Sequence, residues 1–84
     1  MQKQEIGKVT HFFSKVSVGL VVLSAPLKVG DKISIEGAHT KFEQTVESIR
    51  IEQDSLTEAG AGQKVGIKVL DRVRENDTVY KILD

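Results

Sequence analysis

The stretch Val16-Ser17-Val18-Gly19-Leu20-Val21-Val22 places an apolar residue at every even position and a mixed set between them. A repeat of two is the spacing of a β-strand, whose side chains point alternately to opposite faces. Working outwards, Ile6 to Phe13, Lys32 to Glu36, Phe42 to Glu52, Val65 to Leu70 and Thr78 to Leu83 are further strand-length segments bounded by Gly, Asp, Asn, Ser or Pro. Residue choice agrees with the spacing. Val, Ile and Thr supply 23 of the 84 residues, and Leu and Ala only 10, a balance that favours pleated, half-buried surfaces over helix.

The segments between strands are short. Ser24-Ala25-Pro26, Gly30-Asp31, Gly37-Ala38-His39-Thr40 and Arg74-Glu75-Asn76-Asp77 are turn-forming clusters with no room for crossover helices, so the pairing is expected to be mainly antiparallel. Within the longest segment Val46 and Ile49 are three apart and cannot share a face of a regular strand. A β-bulge near Glu47-Ser48 would reconcile them and help the sheet curl. Ser55-Leu56-Thr57-Glu58 has capping-box spacing but runs into Ala59-Gly60-Ala61-Gly62, which reads as loop. The expected architecture is all-β: a six-stranded, mainly antiparallel closed barrel, with residues 1–84 as one domain.

Composition narrows the function. The formal net charge is zero, from 12 basic and 12 acidic residues. Such a balance argues against a protein that coats nucleic acid non-specifically, which needs a cationic excess. With no cysteine there is neither a disulfide framework nor a thiolate metal site. No apolar run approaches the ~20 residues needed to cross a bilayer, and the first residues lack the apolar core of a secretory signal. These features predict a soluble cytoplasmic chain without membrane partners.

Patterns for catalysis are missing too. Gly60-Ala61-Gly62-Gln63-Lys64-Val65-Gly66 has the wrong glycine spacing for a dinucleotide fingerprint and leads into a strand, and no Gly-x-x-x-x-Gly-Lys-Ser/Thr loop offers a triphosphate cradle. His11 and His39 are 28 positions apart, so no paired metal ligands arise. Neither Ser14 nor Ser17 sits in an elbow motif beside His11. Glu43, Glu47 and Glu52 interleave with Lys41, Thr45 and Arg50 as a solvated strand face would. The expectation is a non-enzymatic domain with no cofactor and no metal.

Two features remain as contact surfaces. Lys64, Lys68, Arg72 and Arg74 step by even numbers along a strand and its following loop, so the two lysines share a face and the four form a candidate nucleic-acid-binding strip. His11-Phe12-Phe13 sets adjacent rings on opposite faces of a strand end, which nominates Phe12 as a contact aromatic able to stack on a base or fill a partner's pocket.

Taken as one string, Ile6-Gly7-Lys8-Val9-Thr10, Leu27-Lys28-Val29-Gly30-Asp31-Lys32-Ile33, Val46-Glu47-Ser48-Ile49, Ala59-Gly60-Ala61-Gly62-Gln63-Lys64-Val65-Gly66-Ile67 and Asp77-Thr78-Val79 resemble the second, β-barrel domain of translational GTPases such as elongation factor Tu, elongation factor G and initiation factor two. The resemblance covers about nine-tenths of the chain. It implies a stand-alone, elongation factor-like translation module that binds RNA, tRNA or the ribosome, with no GTP bound by this chain alone. Similar barrels also occur as appended domains at the ends of collagenase-like peptidases. The alternative is therefore a protein-interaction module, or an accessory subunit of a separately encoded enzyme such as a collagenase-like peptidase.

Overall fold

The computed structural model describes residues 2–51 and 54–83. It is all β, with ten strands and no helix among the described residues: β1 Gln2–Phe13, β2 Val18–Leu23, β3 Leu27–Lys28, β4 Lys32–Glu36, β5 Lys41–Thr45, β6 Ile49–Ile51, β7 Asp54–Leu56, β8 Glu58–Ala59, β9 Lys64–Lys68 and β10 Thr78–Leu83. Every pairing is antiparallel. Eight strands form one sheet in the order β5-β4-β10-β1-β2-β9-β6-β7, and β3 pairs with β8 as a separate ribbon. Apolar side chains from both ends of this order enter one core: Ile6, Val9, Val21, Leu23, Leu27, Ile33, Ile35, Ile49, Val65, Ile67 and Val79 are all buried in a single cluster. The sheet must curl around them.

The expected six-stranded closed barrel is corrected in two ways. The sheet has eight strands, and its outermost members, β5 and β7, are not paired with each other. One extra strand arises where the segment from Phe42 to Glu52 divides, and the other is β7; Glu52 itself lies outside the described residues. Instead of a bulge at Glu47-Ser48, the chain leaves β5 after Thr45 and restarts as β6 beside a different neighbour, β9. Val46 is fixed at the break, donating its N–H to the Asp31 carbonyl and accepting the Gly30 N–H, both at 2.8 Å. That turn lets Val46 and Ile49, three apart, both point into the core. The segment expected as loop from Ser55 to Glu58 instead contributes to β7 and β8.

A side chain bridges the open side of the sheet. Gln44 on β5 is 5% exposed. Its Nε2 donates to the Lys68 carbonyl at 2.7 Å, and its Oε1 accepts the Leu70 N–H at 2.8 Å. Its amide thus mimics a strand partner for the end of β9. The glycines expected to allow tight turns do so: Gly30 and Gly62 have φ of 97° and 86°, a region that costs a side-chain-bearing residue energy. Asn76 takes φ 74° in the turn before β10, as its tolerance of that region allows.

The bulges lie in β1. Its register slips at Ile6 against β10 and at Thr10 against β2. The second slip matters beyond the fold, because it exchanges the faces of every residue that follows it.

Candidate functional site

β2 points Gly19, Val21 and Leu23 inward, so its even-numbered apolar set, Val18, Leu20 and Val22, lies on the outer face. Nothing covers that face completely. Val16 is 55% exposed and Phe13 45%. Phe13 reaches it through the bulge at Thr10: Phe13 pairs with Val18, and Phe12 with inward-facing Gly19. The exposed ring is accordingly Phe13 rather than Phe12, which is half-buried and packs against the core. Phe13 also meets the His11 ring edge-on, with centroids 4.5 Å apart.

β9 supplies the neighbouring row. Val65 and Ile67 point into the core, leaving Lys64, Gly66 and Lys68 outside. The β2–β9 register sets Val22 opposite Lys64, Leu20 opposite Gly66 and Val18 opposite Lys68. On the far side of β9, Arg50 of β6 also pairs with Gly66. At the level of Gly66 the three strands thus carry Leu20, no side chain, and Arg50. The missing side chain opens a groove of about 410 Å³, walled by Phe13, Val16, Val18 and Leu20 on one side and by Arg50 on the other, with Lys64 at its rim. Lys68 lines the adjoining end of the same hollow with Ser48. Its Nζ donates to the Val16 carbonyl at 3.0 Å, which ties the β1–β2 turn over that end.

The groove combines an apolar wall with a cationic rim. Among the described residues Lys3–Glu36 and Lys81–Asp31 form ion pairs and His11 Nδ1 lies 3.9 Å from Glu75 Oε1, and none of these contacts uses Arg50, Lys64 or Lys68. Its chemistry is that of a contact surface: apolar area to be covered and positive charge to be met.

The four residues expected to form one basic strip fall into two groups. Lys64 and Lys68 share the outer face of β9, as their spacing predicts. Arg72 and Arg74 lie on the loop after it, beside a separate polar hollow lined also by His39, Lys41, Phe42 and Asp71. The division has a local cause. Asp71 accepts the Arg72 N–H at 2.7 Å, and the buried Asp77 carboxylate accepts the Arg74 N–H at 2.8 Å, so the loop turns away from the line of β9. Arg50, assigned by its pattern to a solvated face, joins the lysines only because β6 pairs with β9. Among the described residues no group of three or more His, Asp or Glu is placed to hold a metal ion. No helix is long and apolar enough to cross a membrane among the described residues.

Comparison with known proteins sets this surface in context. No protein-family model matches the chain. The chain is 42% identical over 80 residues to a protein of Methanocaldococcus jannaschii described as an uncharacterized protease, a match that covers 94% of the chain and 20% of that protein. It is 37% identical over 82 residues to a collagenase of Porphyromonas gingivalis, covering 95% of the chain and 23% of the relative. The chain therefore spans about a fifth of the length of the curated relatives it matches. Among solved structures, the C-terminal domain of a protein of Geobacillus thermoleovorans described as a U32 peptidase superposes with a TM-score of 0.89, at 22% identity and over 95% of this chain and 93% of that one. The selenomethionine variant of the same domain gives 0.86. These matches overturn the resemblance to the second domain of translational GTPases. The glycine turns and inward valines and isoleucines serve the fold, and the curated relatives that the chain matches are named a protease and collagenases, not translation factors.

Proposed function

We propose that this chain is a non-catalytic interaction module that serves a collagenase-like peptidase, docking through the outer face of β2 and β9. The observation that carries the proposal is the apolar wall of that face. A strand facing only water normally alternates apolar-in with polar-out, whereas here Phe13, Val16, Val18, Leu20 and Val22 all lie on the outside. An apolar patch rimmed by polar groups is the mark of an interaction surface. The relatives supply the kind of partner. They are named protease and collagenase, and four-fifths of each lies outside the part that this chain matches.

The test is affinity capture from the native cell after mild cross-linking, with the tagged chain as bait and mass spectrometry as readout. The expected result is strong enrichment of one protein similar to the part of the relatives that lies outside the match to this chain. Absence of any such protein, relative to an unrelated tagged β-domain, would overturn the reading.

A further inference from the structure

We infer that the groove over Gly66 receives an extended segment of the partner peptidase with an apolar residue at its centre and a carboxylate two positions to either side. The inference rests on the module reading above and adds the chemistry of the docking segment. It starts from three outward positions of one strand, Lys64, Gly66 and Lys68. A strand advances about 3.3 Å per residue, so the two lysines stand roughly 13 Å apart along β9 with the side-chain gap midway between them.

A segment lying extended along that face has the same pitch and presents every second side chain downward. Its central side chain then meets the floor at Gly66. A Cβ placed on Gly66 would already approach Val18 Cγ1 at 3.1 Å, so the floor is shallow and walled at close range. Leu20, Val16 and Phe13 extend that wall. An apolar side chain fits these contacts and leaves no buried polar atom without a partner. The flanking positions fall over Lys64 and Lys68, and Arg50 stands beside the centre. Every charged residue lining the groove is cationic. Charge complementarity thus selects an acidic segment and rejects a basic one.

The test is an NMR titration of the full chain with a short synthetic peptide bearing one leucine and glutamates two residues before and after it, the other positions being serine. The expected result is saturable shifts centred on Leu20, Arg50 and Gly66. The affinity should fall about tenfold or more in the double variant Lys64→Glu with Lys68→Glu, and also as salt rises from roughly 50 to 500 mM. A control peptide with lysines in place of the glutamates should leave those amides unmoved. Equal affinity for the two peptides, or shifts only elsewhere on the chain, would overturn the inference. So would groove shifts that follow protein concentration without peptide, because a second copy of this chain would then be the occupant. Circular dichroism and a thermal midpoint show whether the double variant is folded, as expected when both positions are exposed and the bond lost, from Lys68 Nζ to the Val16 carbonyl, is itself exposed. Undiminished capture of the peptidase by a folded double variant would also overturn this inference while leaving the module reading intact. Failure of the unmodified chain to capture any peptidase would overturn that reading instead.

Discussion

Replacing Gln44 with methionine keeps the side-chain volume while deleting both hydrogen bonds that bridge the open side of the sheet. The Gln44 amide donates to the Lys68 carbonyl and accepts the Leu70 N–H, and each such bond contributes about 0.5–1.5 kcal/mol net. Both bonds are part-buried and their backbone partners belong to exposed residues, so the full penalty for a dry unpaired group does not apply. The expected loss is about 1–3 kcal/mol. In a domain of this size each kcal/mol moves the thermal midpoint by about 4–8 °C, so Gln44→Met should lower it by roughly 4–24 °C. Urea unfolding measures the energy, and amide hydrogen exchange locates it: protection at Leu70 should drop, while that of Ile67 in mid-strand should follow only the global change. A loss below about 0.5 kcal/mol, or unchanged exchange at Leu70, would refute the claim that this side chain holds the curled sheet together.

Three further outcomes follow from the packing and the ion pairs. Ile67→Ala empties a position that is 1% exposed, and should cost about 2–5 kcal/mol in urea unfolding; a near-neutral result would contradict the register of β9. Gly62→Ala meets nothing within 4 Å but must hold a φ of 86°, so a loss of about 1–2 kcal/mol from backbone strain alone is expected, measured the same way. Glu36 accepts hydrogen bonds from Lys3 and Ser34, which hold its carboxyl below the ordinary carboxylate range, while the same contact raises Lys3. The Glu36 contribution is therefore present above the ordinary carboxylate pKa and lost as pH falls through the lowered folded value. The Lys3 contribution is present below the ordinary lysine pKa and lost as pH rises through the raised one. A thermal midpoint followed against pH should show a shallower acid fall in Glu36→Gln than in the unmodified chain.

The strands were legible in the sequence because their signal is local. Lys32–Glu36 and Thr78–Leu83 appear in the structure with the bounds that their alternation and flanking turns imply, and Gly30 and Gly62 take the conformations that their turns require. What escaped was decided by pairing between distant residues. The spacing of Val46 and Ile49 signals an irregularity, but whether it is a bulge or a change of neighbours depends on Asp31 and Gly30, which hold Val46. One extra residue at Thr10 moves Phe13 outward and Phe12 inward, and no pattern within β1 announces it. The groove was half visible: Lys64 and Lys68 share a face by spacing alone, whereas Arg50 joins them only through the β6–β9 register. The even-numbered apolar set of β2 announced a strand by its spacing, without telling which face turns inward. It lies on the outer face because Gly19, Val21 and Leu23 occupy the inner side instead. The family resemblance went astray for a related reason: turn glycines and inward β-branched residues record a way of folding, which unrelated activities share.

By the function proposed above, this module supports a peptidase through its outer face. The most direct test is collagen degradation by the Porphyromonas gingivalis collagenase in three forms: intact, lacking the segment that matches this chain, and with that segment replaced by this chain. Removal is predicted to lower the rate sharply, and the replacement to restore most of it, unless Lys64→Glu and Lys68→Glu are present in the inserted chain. A deleted form as active as the intact enzyme, or a folded replacement no better than the deletion, would contradict the account.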